Sequence, residues 1–178
     1  MPTEPLGMDL DAHIRRIPDF PKPGILFYDI STLLVDAAAW SATIDRMADA
    51  VTPYRPLLLA GIESRGFVFA APLAAKLGLG FVMIRKVGKL PGAVISHSYD
   101  LEYGSDTLQI AEGLIPKGSR VVLIDDLIAT GGTARASVEL LRKVGADPVG
   151  AVFLIELEGL GGIAKLGVPA SPLLRYPA

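Results

Sequence analysis

Cysteine is absent from the 178-residue chain, which excludes disulfides, thiolate-held zinc and a thiol nucleophile. Only two histidines are present, too few for a histidine-rich metal cage. Cations do not outnumber anions: 17 Lys and Arg against 19 Asp and Glu leave a formal net charge of −2. A broad nucleic-acid surface needs surplus positive charge to meet phosphates, so no nucleic-acid partner is expected. A small basic site for one anionic substrate stays open. No run reaches the roughly 20 apolar residues that span a bilayer. Residues 1–10 hold two prolines and two acids rather than a basic and then apolar leader. No membrane partner is expected, and the cytoplasm is the expected location.

What is present is mostly core-forming. Hydrophobic residues make up 51% and charged ones 20%, the balance of a folded domain with a sizeable interior. No repeat or linker breaks the chain, so residues 1–178 are expected to form one domain. Apolar runs at Pro56–Ile62, Gly80–Ile84, Arg120–Ile124 and Val149–Ile155 read as buried strands. Helical spacing connects them: Ala70, Leu73, Ala74 and Leu77 before Gly78, and Ala134, Val138, Leu141 and Val144 before Gly145. An earlier amphipathic helix carries Trp40, Ile44, Met47, Ala48 and Val51, with Asp36 as its N-cap. Such alternation predicts an α/β fold with a central, mostly parallel sheet flanked by helices. Ligands in such sheets gather at the carboxyl ends of the strands. Between Lys86 and Gly118 the pattern changes, and two short β-like stretches around Tyr99 and Leu108 suggest a hairpin excursion.

The segment Val121–Thr133, VVLIDDLIATGGT, carries the strongest chemical signal. An apolar strand ends in Asp125 and Asp126, and a short loop leads through Ala129 to Thr130-Gly131-Gly132-Thr133 at a helix start. Unpaired N–H groups at a helix N-terminus attract anions, and the glycines let the backbone approach a phosphate closely. Without a lysine the loop is not a Walker A sequence. Carboxylates repel phosphate but suit the two hydroxyls of a ribose. Together the parts describe a site for a ribose 5-phosphate, and Asp125 could also meet Mg2+ through water. A second strand-to-helix turn, Glu63-Ser64-Arg65-Gly66, has the same anion-binding geometry, and Arg85, Lys86 and Lys89 form a basic cluster. Ser64 does not sit in a G-x-S-x-G elbow, which argues against a hydrolase.

The string Val121–Thr133 resembles the phosphoribosyl pyrophosphate (PRPP) motif of the type I phosphoribosyltransferases. Three further segments, Phe20–Leu34, Ala60–Pro72 and Ile84–Gly104, are similar to the adenine-specific branch of that family. The resemblance implies the type I fold with a small N-terminal hood and a mobile hairpin lid over about residues 88–108. It implies transfer of the phosphoribosyl group of PRPP to N9 of adenine, giving AMP and pyrophosphate, with Mg2+ carried on PRPP. It places the ribose on Asp125 and Asp126 and the 5-phosphate on Ala129, Thr130, Gly131, Gly132 and Thr133. Pyrophosphate falls to Ser64, Arg65, Arg85 and Lys89, with Arg85 reaching across a homodimer interface and a cis peptide between Glu63 and Ser64. Adenine is read by backbone groups near Leu26 and Tyr28, between Phe27 and Leu157, two side chains that by themselves read as core packing. Glu102 would transfer a proton at N7, Tyr103 would close the lid, and His97 would be an exposed loop residue. Two departures stand out: the family commonly has arginine at Tyr28 and often a basic residue at Val87. A 6-oxopurine as substrate, or a non-catalytic PRPP sensor, are the rival readings.

Overall fold

The structure is a computed structural model that describes residues 7–100 and 104–178. It divides into two compact units, Met1–Arg46 and Met47–Ala178.

In the first unit a 3-10 turn at Asp11–His13 precedes two short antiparallel strands, β1 (Arg15–Pro18) and β2 (Leu26–Asp29), paired from Arg15↔Asp29 to Pro18↔Leu26. The pairing places Arg15 Nη2 2.5 Å from Asp29 Oδ2. Asp29 Oδ1 accepts the Ser31 N–H at 2.9 Å, where α1 (Ser31–Val35) begins. Hydrogen bonds from Ser31, and then the Arg15 guanidinium, outweigh burial and hold the Asp29 carboxyl down to about 2. The next helix, α2 (Ala37–Val51), is capped as its sequence predicts: Asp36 Oδ1 accepts the N–H groups of Ala38 and Ala39 at 3.0 and 2.9 Å.

The second unit runs β3 (Leu58–Ile62), α3 (Arg65–Leu77), β4 (Gly80–Lys86), β5 (Val94–Asp100), β6 (Ser105–Ala111), β7 (Arg120–Ile128), α4 (Gly132–Lys143), β8 (Asp147–Glu158), α5 (Gly162–Lys165) and β9 (Ala170–Pro177). The strands form one seven-stranded sheet in the order β5-β6-β4-β3-β7-β8-β9. Neighbours from β4 through β9 are parallel; β6 returns antiparallel to β4 and β5 antiparallel to β6. The expected mostly parallel sheet is therefore present, and the hairpin excursion is an edge of that sheet.

Alternation along the strands sets which helix covers which face. Leu58, Ala60 and Ile62 of β3 and Val121 and Leu123 of β7 join one core with Ala134, Val138 and Leu141 of α4. The opposite face of β3 carries Gly61, where an added Cβ would lie 2.9 Å from Ala70 Cβ of α3. Only glycine admits so close a helix. Gly78 ends α3 in the left-handed region at φ 67°, its N–H reaching the Ala74 and Ala75 carbonyls.

Three differences from the sequence reading matter. Strand β7 does not stop before the acids but runs through them to Ile128, because β8 continues to pair with it as far as Ile128↔Glu156. A final strand, β9, had no sequence signal: its mixed run ASPLLRYP lies at the sheet edge and pairs only with β8. His97 is not an exposed loop residue. It lies in β5 with a side chain only 25% exposed, 2.8 Å from Glu139 Oε2 of α4, because the hairpin packs along that helix.

Candidate active site

At the carboxyl end of β7 the chain turns through Ala129, Thr130 and Gly131 into α4. Gly131 occupies the N-cap position at φ 81°, a conformation that side chains rarely adopt. The turn is also backed closely. A Cβ on Gly131 would lie 2.6 Å from the Gly162 carbonyl oxygen, and one on Gly162 would collide with the Ala129 carbonyl oxygen. The short α5 thus braces the turn from behind through two glycines. Hydrogen bonding fixes the helix start: the Arg135 N–H donates to Gly131 O at 2.8 Å, and the Ser137 hydroxyl donates to Thr133 O at 2.8 Å. The first turn of α4, whose N–H groups lack partners within the helix, lines the cavity together with Thr130 and Thr133.

The cavity there has a volume of about 460 Å3. It is lined by the acids Asp125 and Asp126, the turn from Ala129 to Thr133, and Ser64, Arg65 and Lys86 from neighbouring segments. Ser64 and Arg65 arrive from β3 across a cis peptide between Glu63 and Ser64. Helix α3 starts hard against β7: a Cβ on Gly66 would lie 2.8 Å from Ile124 O and 3.1 Å from Asp125 Oδ1.

Charge inside the cavity is paired. Arg65 Nε lies 2.6 Å from Asp126 Oδ2, with the Asp126 side chain only 8% exposed. Burial first, and then the neighbouring Asp126 carboxylate, push the Asp125 carboxyl well above the usual range. On the adjoining edge, Glu63 Oε2 accepts the Lys86 N–H at 2.9 Å and Arg85 Nε at 3.2 Å. Burial pushes the Glu63 carboxyl up, but these two donors prevail and hold it below its ordinary value. Arg85 also donates to the Lys89 carbonyl at 3.2 Å, and its guanidinium stands 5.8 Å from the Phe67 ring centre. Among the described residues no three His, Asp or Glu side chains cluster in a way that could hold a metal ion, and no helix is long and apolar enough to cross a membrane. An anion cradle, a diol-sized acid pair and one adjacent guanidinium suit a phosphorylated ribose that carries a second anionic group.

Comparison with known proteins agrees. Residues 27–165 match the family model of the phosphoribosyl transferase domain. The chain belongs to the phosphoribosyltransferase family. It is 63% identical over 169 residues to the adenine phosphoribosyltransferase of Gluconacetobacter diazotrophicus, covering 95% of this chain and 96% of the relative. The crystal structure of adenine phosphoribosyltransferase from Thermoanaerobacter pseudethanolicus superposes with a TM-score of 0.90 at 46% identity, covering 94% of this chain and 98% of that one. The Saccharomyces cerevisiae enzyme, complexed with an imino-altritol 1,6-bisphosphate and adenine, superposes with a TM-score of 0.87 at 40% identity, covering 93% and 96%. The sheet with its flanking helices is the type I phosphoribosyltransferase fold.

Within this phosphoribosyltransferase, the structure gathers Ser64, Arg65, Asp125, Asp126 and the turn Ala129–Thr133 around one cavity. Lys89 and Arg85 do not line it; Lys89 is exposed beyond the end of β4 and Arg85 is engaged with Glu63. Leu26, Phe27 and Tyr28 form most of β2 in the first unit, where Phe27 packs edge-on against Phe20 at 5.1 Å and Tyr28 is buried. Leu157 lies in β8 of the second unit, opposite Tyr176 of β9. Glu102 and Tyr103 lie outside the described residues. Two contributors escaped sequence reasoning. Gly162 braces the turn, and three glycines at 159, 161 and 162 were its signal. Lys86, grouped in the sequence with its basic neighbours, is the member that enters the cavity wall, because the last residue of β4 ends there.

Proposed function

We infer that the chain catalyses displacement of pyrophosphate from C1 of PRPP by N9 of adenine, giving AMP. One observation carries the reading: the acid pair, the glycine turn and a guanidinium share a single cavity at the carboxyl end of β7, with Arg65 2.6 Å from Asp126. The adenine-specific relatives favour this base over a 6-oxopurine, and the intact leaving-group cations favour an enzyme over a sensor.

The turn Ala129–Thr133 receives the 5-phosphate on its N–H groups, and Asp125 and Asp126 accept the ribose hydroxyls. Before substrate arrives Asp126 is occupied by Arg65. Binding exchanges that partner: the carboxylate takes a hydroxyl, and the guanidinium turns to the diphosphate, where negative charge grows as the C1–O bond breaks. Ser64, Lys89 and Arg85 complete the leaving-group site, Arg85 by reaching a partner subunit in a homodimer. Holding both ends of PRPP leaves C1 in line for N9 and removes much of the entropic part of the barrier. Leu26 and Tyr28 present backbone donors and acceptors to the adenine edge, and Phe27 and Leu157 take its two faces. A buried site of that kind rejects a base with the reversed hydrogen-bonding pattern. Glu102 moves a proton at N7, and Tyr103 helps the hairpin segment, about residues 88–108, to exclude water. Mg2+, when carried on the diphosphate of PRPP, would neutralise part of its charge. Asp125 would be the residue to meet that ion, through water. The whole of residues 1–178 works as one catalytic domain in the cytoplasm.

The test is nucleotide formation from PRPP and Mg2+ with adenine, hypoxanthine, guanine or xanthine in turn. AMP from adenine alone is expected; turnover of an oxopurine, or of no base, would displace the proposal.

A further inference from the structure

A carboxylate outside the substrate roles above joins both ends of the cavity. Asp106, the second residue of β6, lies with its Oδ2 2.9 Å from Lys86 Nζ. Lys86 lines the cavity on the side of Ser64 and Arg65. Asp106 is also the cross-strand partner of Tyr99 in β5, and the Tyr99 hydroxyl shares a 3.0 Å hydrogen bond with Thr133 Oγ1 in the phosphate turn. From one side chain, short links therefore run to the leaving-group wall and to the 5-phosphate turn.

The neighbouring charges leave this pairing distinct. Glu63 is engaged by Arg85 and by the Lys86 N–H, and Asp126 by Arg65. The Lys86 side chain is 59% exposed, while that of Asp106 is 23% exposed. A long ammonium with that freedom points nowhere in particular unless something anchors it. The hydrogen bond from Lys86, then the Thr107 N–H and a hydrogen bond from Tyr99, outweigh burial and hold the Asp106 carboxyl below its usual value. The same contact raises the Lys86 ammonium, so both stay charged at neutral pH. An exposed ion pair of this kind adds little to stability; its consequence is direction. It keeps a cation at the wall where a diphosphate would lie and keeps the hairpin seated on the turn.

We propose that Asp106 is a positioning residue for PRPP, aiming the Lys86 ammonium into the leaving-group side of the cavity and holding Tyr99 on Thr133. This deepens the phosphoribosyl-transfer reading and rests on it. The test is steady-state kinetics of Asp106→Asn, Asp106→Glu, Lys86→Met and the Lys86→Met/Asp106→Asn double variant, with a thermal melt of each. Asp106→Asn should raise KM for PRPP, and for pyrophosphate in the reverse reaction, about three- to tenfold, the scale of one weakened charge-assisted contact. KM for adenine should hold, and Asp106→Glu should recover most of the loss. The double variant should fall well short of additive, since the Lys86 share of the loss is already present in Lys86→Met and only the Tyr99 share is added. A PRPP KM within twofold of wild type in Asp106→Asn, or full additivity in the double variant, overturns the proposal. Failure of the wild-type chain to use PRPP would instead overturn the reading beneath it, so the two failures are told apart.

Discussion

One wall of the cavity comes from nine consecutive residues, Asp125–Thr133, whereas the other is collected from Ser64 and Arg65 after β3 and Lys86 at the end of β4, which pairs with Asp106 of β6. The first wall works mainly through backbone. A helix begins there, which leaves N–H groups without helical partners at the cavity, and its path is so closely backed that a Cβ on Gly131 would lie 2.6 Å from Gly162 O. The second works through long side chains that are already paired: Arg65 with Asp126 and Lys86 with Asp106. Backbone preorganisation has no slack, since one added methyl has nowhere to go. Paired charges can exchange partners, and removing one leaves the rest in place. The two walls should therefore fail differently.

The sharpest break is Gly131→Ala. Its Cβ would meet the Gly162 carbonyl at 2.6 Å in a backbone held at φ 81°, so the turn must move. Because an ångström of misplacement can cost on the order of a hundredfold, kcat/KM for PRPP should fall by about that much or more, together with roughly 1–3 kcal/mol of stability. Steady-state kinetics beside a thermal melt decide it; near-normal PRPP use would mean that the turn has room.

Arg65→Gln probes the other wall. Loss of one donor aimed at developing charge costs about a hundredfold in kcat. The loss should appear chiefly in kcat, while the Gly131 variant also loses PRPP affinity. Turnover within twofold of wild type would remove Arg65 from the leaving group.

The smallest effect is expected where the walls meet. Burial and the Asp126 charge raise the Asp125 carboxyl well above its ordinary value. A carboxyl raised by folding contributes stability that is fully present below the unfolded value and is lost as pH rises through the folded one. At neutral pH the ionised group is therefore a liability to the fold. Asp125→Asn should raise the melting temperature at pH 7.5 by a few degrees, roughly the effect of 1 kcal/mol in a domain of this size. That advantage should shrink as pH falls from the raised folded value toward about 4 and be gone below it, while KM for PRPP at pH 7.5 rises. A variant less stable than wild type at pH 7.5 would contradict the sign.

Legibility in the sequence follows the same division. The phosphate turn could be read before any fold was known, because Asp-Asp, the glycines and the helix start are neighbours in the chain. Strands β3, β4, β7 and β8 were legible as apolar runs, and α3 and α4 from their helical spacing and terminal glycines. Strand β9 was not, since edge position lets Pro172 and Arg175 sit in it and nothing local marks its pairing with β8. His97 was misjudged for a related reason: the partner that buries it, Glu139, lies in a helix 42 positions away. Lys86 could be counted as a cation but not separated from Arg85 and Lys89.

By itself, then, the sequence determined the chemistry that short stretches of backbone can hold: a parallel α/β core, an anion-binding helix start and an acid pair beside it. Only the tertiary structure decided which cation enters the cavity, which carboxylate restrains it, and that Gly162 stands behind the turn. Those contacts join segments brought together by strand order and helix packing, and a side chain's partner across such a gap leaves no periodic or local trace in the chain that carries it.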